Sequence, residues 1–383
     1  MHPLLDSGAA SPNADEAELT RQQAGRAQLR TFFAAARKLN ASDIHLHPGM
    51  RPVVRVDGRL FNLKGFETIS EEEVQAIVTA VLDHRQTAQY RKIHQVDTSA
   101  EFEELGVLRI NVFRQRNHPS LAMRLVRYVI PTTQELGVPD ILLKLAHFER
   151  GLVLLTGATS NGKSTTLAAL IEEINLHHAK HILTIEDPIE FIFENKRSIF
   201  SQRDIGVDAV SYTGAMIAAM RQDPDVILLS DLRDDETIEN ALLAAETGHL
   251  VFATTHAPTA PDAITRIVAT FPPDAQDTLR VKLAQNLRAV VAQRLLPPAS
   301  GAGRVLAVEY MLINARIREL MLDPMKIHDI AKLVSSTQLV EGVQSFDAHL
   351  ARLHNEGRIS RETALQHATN ETDMRLQLSG LRK

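Results

Sequence analysis

The chain has 383 residues, 44% of them hydrophobic and 23% charged, enough to bury one large core or two moderate ones. Forty-two Lys and Arg against 47 Asp and Glu leave a formal net charge of −5, without the basic excess of a dedicated nucleic-acid binder. With no cysteine, a disulfide framework and any Cys-ligated zinc site are excluded.

Residues 1–27 are rich in Ala, Ser, Asp, Glu and Gln, lack the basic start and apolar run of a secretory signal, and read as a flexible extension. Apolar positions recur at helical spacing over 28–39, and residues 43–60 alternate as an extended hairpin ending in the turn pair Asp57-Gly58. A second helix is predicted over 70–82, and a second strand pair over 107–113 and 121–129 with Asn117-His118-Pro119 as its turn. Residues 28–130 thus read as a small α+β domain, followed by a linker over 131–137 that Ile130-Pro131-Thr132-Thr133 opens. From 138 to 313, short apolar strands alternate with amphipathic helices, the pattern of a parallel sheet. The predicted strands are 152–155, 182–185, 226–229, 250–254 and 290–295. Beyond Asn314 the apolar positions, among them Phe346, Leu350 and Leu353, fall at helical spacing and predict a helical tail over 314–383. No apolar run approaches the roughly 18 residues that span a bilayer, so the chain is expected to be soluble and cytoplasmic.

The stretch Gly157-Ala158-Thr159-Ser160-Asn161-Gly162-Lys163-Ser164 fits G-x-x-x-x-G-K-[ST] and lies between an apolar strand and a helix. Backbone N–H groups and the helix N-terminus there form an anion site; Lys163 reaches the β and γ phosphates, and the Ser164 hydroxyl ligates Mg²⁺. ATP and Mg²⁺ are therefore the expected ligands, with residues 157–164 and Thr165 around the nucleotide. Glu186 and Asp187, in Thr184-Ile185-Glu186-Asp187-Pro188-Ile189-Glu190, follow the second strand, where open α/β sheets place ligand-contacting residues. They are expected at the metal and its water shell; the plainer alternative is a solvated strand end with a helix cap. The third strand ends in Ser230-Asp231, where P-loop ATPases present an acid to Mg²⁺ or to the attacking water, so Asp231 is the candidate base. Arg233 and Asp234 read either as part of this site or as a surface pair capping the next helix. His249 and His256 bracket the fourth strand and are candidates for a γ-phosphate sensor or ordinary structural histidines. Arg109, Arg114, Arg116, Arg124 and Arg127 crowd one strand pair of the first domain. They either guard an edge against aggregation or reach ATP bound in a neighbouring subunit.

Together these residues resemble the secretion ATPase superfamily of type II and type IV pilus systems, most closely its PilT and PilU retraction branch. The resemblance covers residues 28–380. Its marks include Ala41-Ser42-Asp43-Ile44-His45-Leu46, Arg55-Val56-Asp57-Gly58, the phosphate loop, Thr184 to Phe191 as the Asp box, and Arg221-Gln222-Asp223-Pro224-Asp225. Glu246-Thr247-Gly248-His249-Leu250 with Thr255-His256 as the His box, and Gln344-Ser345-Phe346-Asp347, complete the set. The resemblance implies an α/β protein: a PAS-like α+β N-terminal domain, then a RecA-like P-loop NTPase domain with a helical C-terminal tail. It also implies a homohexameric ATPase that powers pilus retraction and twitching motility, peripherally attached at the inner membrane. An inner-membrane platform protein and a paralogous retraction ATPase are the partners it suggests, and no nucleic acid is expected. By motif position, Arg109 and Arg124 match the arginines that reach ATP between subunits.

Extension and secretion ATPases of the superfamily carry a tetracysteine zinc element that this chain cannot build, which favours retraction. Asn314-Ala315-Arg316-Ile317-Arg318-Glu319-Leu320 also resembles the tail motif of the retraction branch. Two departures bear on activity. Ser230-Asp231 stands where the family has Gly-Glu, withdrawing the carboxylate by one methylene and predicting slow hydrolysis. Ser160 stands where the family has Gly, a strain of about 1 kcal/mol or more if the position demands positive φ. The competing readings are a weakly active accessory subunit working with a paralogous ATPase, and a RecA-like nucleic-acid motor. Net charge and a 4% aromatic content without Trp oppose the latter.

Overall fold

Residues 12–56, 58–103, 105–126, 129–301, 303–335 and 341–379 are described by the computed structural model, which divides into Met1–Tyr128 and Val129–Lys383. In the first unit, helix α1 (Pro12–Lys38) buries Leu29, Phe32, Phe33 and Ala36, the spacing of one helical face. The extension expected over 1–27 is thus helical from Pro12 onward, and residues 1–11 lie outside the described residues. Polar composition hid this part of the helix. Gly25 shows what it packs on, because a Cβ there would sit 2.3 Å from the Ala76 carbonyl oxygen of helix α2 (Glu71–Val81). Ser70 and Glu73 close a capping box at the start of α2, and helix α3 spans His84–Ile93.

Strands β1 (Asp43–Leu46), β2 (Val53–Val56), β3 (Arg59–Asn62), β4 (Gln95–Phe102), β5 (Gly106–Gln115) and β6 (His118–Leu125) form an antiparallel sheet in the order β3-β2-β1-β6-β5-β4. The hairpin expected over 43–60 is therefore part of a three-stranded run; Asp57 of its predicted turn lies outside the described residues. The turn expected at Asn117-His118-Pro119 falls one residue earlier. Arg116 and Asn117 both take positive φ, 50° and 68°, the requirement of a two-residue hairpin turn whose twist suits the strands.

The second unit begins with helix α4 (Thr133–Leu136), inside the segment expected as a linker, and a 3₁₀ run over Asp140–His147. Strands β7 (Gly151–Thr156), β8 (His181–Glu186), β9 (Ile199–Asp204), β10 (Val226–Leu229), β11 (Leu250–Thr254), β12 (Leu287–Leu296), β13 (Val305–Leu312) and β14 (Val343–Gln344) make one sheet. Its order is β14-β13-β12-β7-β11-β10-β8-β9, parallel from β12 to β9 and antiparallel beyond β12. Along β7, Leu152 and Leu154 face one apolar core while Val153 and Leu155 face another. Burial on both faces is why these strands read as continuous apolar runs.

Helices α5 (Lys163–His177), α6 (Tyr212–Ala219), α7 (Asp235–Glu246), α8 (Ala260–Thr270) and α9 (Gln276–Asn286) connect the parallel strands. The tail carries α10 (Ala315–Leu322), α11 (Asp329–Ser335), α12 (Phe346–Asn355), α13 (Arg361–His367) and α14 (Glu371–Leu378), with β14 returning one short strand to the sheet. The predicted α/β class is the one observed. Among the described residues no helix is long and apolar enough to cross a membrane.

Candidate active site

Strands β7, β11, β10 and β8 are consecutive and parallel, so their C-terminal ends share one edge of the sheet. From that edge emerge the phosphate loop, Thr255-His256, Ser230-Asp231 and the Asp187–Glu190 turn, which collects most of the predicted site residues.

The loop between β7 and α5 needs glycine at two places. Gly157 has φ +140° and a Cβ there would lie 2.6 Å from the Gln293 carbonyl oxygen; Gly162, at φ +81°, directly precedes α5. No side chain caps α5, so its first N–H groups are left for an anion. Ser160 does take positive φ, 66°, a strain on the order of 1 kcal/mol or more. Its carbonyl accepts from Arg304 Nη1 at 3.3 Å, and the Asn161 amide oxygen accepts from Leu295 N at 3.5 Å. Ala158 and Thr159 are exposed, and Thr165 is half-buried in the first turn of α5. The Lys163 side chain is buried, its Nζ donating to the carbonyls of Gly157 at 2.6 Å and Ala158 at 3.2 Å. Burial lowers its pKa, against the opposing pull of Asp231 and Glu190. The Ser164 hydroxyl donates to Glu190 Oε1 at 3.0 Å.

Glu186 ends β8 and is buried, with no hydrogen-bond partner for Oε1. Burial pushes its carboxyl up from 4.5 to about 7. A pKa raised by folding stabilises the protein fully at low pH, and that contribution is lost as pH rises through about 7. Nucleotide-free protein is therefore expected to lose on the order of 3 kcal/mol between pH 4.5 and pH 8 through this group. Denaturant titrations across that range should show the slope, and Glu186→Gln should flatten it; equal slopes in parent and variant would remove the buried-acid assignment. Asp187 next to it is exposed, on a cis peptide to Pro188.

The Ser230 hydroxyl accepts from Asp187 N at 3.1 Å and lies 2.6 Å from the Tyr212 hydroxyl. Burial pushes Tyr212 up to about 12, which keeps that hydroxyl protonated. Asp231 is buried: Oδ2 accepts from Arg233 Nε at 2.7 Å and lies 3.2 Å from His256 Nε2, whereas Oδ1 is buried without a partner. Arg233 also comes within 4.0 Å of Asp187. The Arg233-Asp234 pair therefore divides between both readings of it: Arg233 joins the site, and Asp234 caps α7 by accepting from Thr237 N at 2.8 Å.

His249, expected at the nucleotide, does not join this edge. It precedes β11 and accepts from Gly151 N through its carbonyl at 3.0 Å, at the start of β7 rather than its end. Its Nδ1 sits 2.9 Å from the Ala244 carbonyl, the bond of a structural histidine closing α7. Arg109 and Arg124 belong to the first unit, opposite each other on β5 and β6. Arg124 pairs with Asp43 at 3.1 Å, offsetting the repulsion of like charges across a ladder, and Arg109 makes no ion pair among the described residues. Arg114 and Arg116 are exposed, and Arg127 lies outside the described residues.

Sequence reasoning did not find Glu190 on the Ser164 hydroxyl, Tyr212 on Ser230, or Gln293, whose Nε2 donates to Thr166 Oγ1 at 2.7 Å beneath the loop. Only Glu190 carried a signal, as the last carboxylate of the motif.

Among known proteins, residues 21–315 match the family described as Type II/IV secretion system protein. The chain is 37% identical over 338 residues to the Type IV pilus ATPase PilU of Pseudomonas aeruginosa, covering 88% of this chain and 87% of that one. It is 38% identical over 341 residues to the type IV pilus retraction ATPase PilT of the same organism, covering 88% and 97%. The crystal structure of the pilus retraction motor PilT with bound ADP aligns at a TM-score of 0.81 and 41% identity, covering 88% of this chain and 96% of that one. With its phosphate loop and acids along one sheet edge, this chain belongs to the type II/IV secretion system protein family and is an ATPase.

Proposed function

We propose that this chain is a pilus-retraction motor that hydrolyses ATP at the β7-β11-β10-β8 edge. It works as a homohexamer, acting from the cytoplasmic side on an inner-membrane platform protein. The observation that carries the reading is the uncapped start of α5 and buried Lys163 on the same edge as two acids, Glu186 and Asp231, each with an unpartnered oxygen.

In this reading the backbone of residues 157–162, with Lys163, Ser164 and Thr165, holds the phosphates. Lys163 exchanges its two carbonyl partners for the β and γ phosphates. Ser164, Glu186 and Asp187 suit Mg²⁺, which takes one or two protein oxygens and completes its shell with phosphate and water; no cage of three acids or histidines is found among the described residues. When bound, Mg²⁺ neutralises charge on the β and γ phosphate oxygens. A water oxygen attacks the γ phosphorus as the bond to ADP breaks, and Asp231 accepts the water's proton once Arg233 has released it. His256, 3.2 Å from Asp231, responds in this reading to the γ phosphate. Arg109 and Arg124 supply transition-state charge to the site of a neighbouring subunit.

Complementation between two inactive variants tests the ring and the arginines together. An equal mixture of Arg124→Ala and Lys163→Ala chains should recover about a quarter of parental turnover, because that share of interfaces pairs an intact loop with an intact arginine. No recovery from a mixture that co-assembles would contradict action between subunits.

A second reading is favoured by one observation: the short Asp231 carboxylate is already held by Arg233 and His256. It makes the chain a slow, accessory retraction subunit that works with a paralogous ATPase.

A further inference from the structure

Arg150 and Arg288 lie at the edge of the eight-stranded sheet opposite the phosphate loop, and Ile313 N donates to the Arg288 carbonyl at 2.8 Å just before α10, which carries Arg318. Arg150 immediately precedes β7, and Arg288 is the second residue of β12, the parallel neighbour of β7. The Arg288 side chain lies across Gly151, where a Cβ would meet its Cγ at 2.5 Å. Its Nε donates to the Arg150 carbonyl and its Nη1 to the Gln285 carbonyl, both at 3.1 Å, so backbone rather than carboxylate takes these donors. Burial lowers the pKa of Arg288, and the nearby charges of Arg318, on α10, and Arg150 lower it further; no acid offsets them. The Arg318 Nε is buried without a partner, and neither Arg150 nor Arg318 forms an ion pair among the described residues. Glu319, the carboxylate next to Arg318, is engaged by Arg316 at 2.9 Å.

The charges of Arg150 and Arg318 both act on the Arg288 guanidinium, and that repulsion is relieved when a compact anion joins them. Guanidinium forks match the oxygens of phosphate in bidentate pairs, and a tetrahedral phosphate offers enough oxygens for several forks at once. We propose that Arg150, Arg288 and Arg318 bind a phosphate-bearing anion at a site separate from the nucleotide loop. The six residues of β7 set about 20 Å between the two sites. The site does not depend on the assignment of the ATPase residues, and its ligand is either free phosphate or a phospholipid headgroup.

The test uses the full chain saturated with ADP, so that the phosphate loop is filled. Inorganic phosphate is titrated by calorimetry, and co-sedimentation is measured with phosphatidylglycerol vesicles against phosphatidylcholine vesicles. Arg150→Glu alters an exposed side chain, and Arg318→Gln provides a second variant. Each should weaken binding about fivefold or more and leave ATP turnover unchanged. Phosphate binding that both variants weaken identifies the free anion; vesicle binding alone, weakened likewise, identifies the headgroup. Absence of binding in both arms, variants that bind as the parent does, or tighter binding of a poly-glutamate peptide than of either phosphate form would overturn the proposal.

Discussion

Lys163→Ala is expected to reduce ATP turnover by about 10²- to 10³-fold or more, the loss associated with removing one preorganised donor from a transition state. In the free site the ammonium is buried against the Gly157 and Ala158 carbonyls, and the negative charges of Asp231 and Glu190 favour its protonated form against the cost of burial. No second Lys or Arg donates to those two carbonyls among the described residues, although Arg304 touches the neighbouring Ser160 carbonyl. Removing the ammonium therefore takes away the cation that we propose reaches the β and γ phosphates. ADP and ATP affinities, measured by calorimetry beside turnover, distinguish a binding loss from a chemical one. Parental turnover in the variant would show that the phosphate loop is not the catalytic site.

Asp231→Asn is expected to lower kcat by about 10²- to 10⁴-fold while leaving ATP affinity nearly intact, because it removes a proton acceptor and not a phosphate contact. Asp231→Glu discriminates further. The added methylene moves the carboxylate beyond the position where Arg233 and His256 hold Oδ2. If reach limits the parent, turnover of the Glu variant rises about tenfold or more. Such a gain supports the slow, accessory subunit; brisk parental hydrolysis with no gain supports the motor acting alone. Full activity of Asp231→Asn would remove Asp231 from the chemistry.

The parallel strands and the motifs at their ends were legible because their physics is local. A strand buried on both faces must be continuously apolar, as in Leu152 to Leu155, and a phosphate loop must leave such a strand and enter a helix. Strand β4 was not legible, since its buried positions include Thr98 and Ala100, which contribute little apolar contrast; half-exposed β9, Ile199 to Asp204, reads as loop for the same reason. The seven consecutive buried residues of β13 gave no period that separates strand from helix. The position of His249 was also legible: a residue that precedes a parallel strand lies at the edge away from the C-terminal ends. Arg233 on Asp231 and Tyr212 on Ser230 are different. Both contacts depend on where side chains turn after the chain has folded, and no spacing encodes them.

Pilus retraction, observed in living cells whose native chain is replaced by Lys163→Ala, tests the central claim most directly. The expected result is that pili are still assembled while their withdrawal, and surface motility with it, is lost. Withdrawal at the parental rate with the variant as the sole copy would contradict the assignment of this ATPase to retraction.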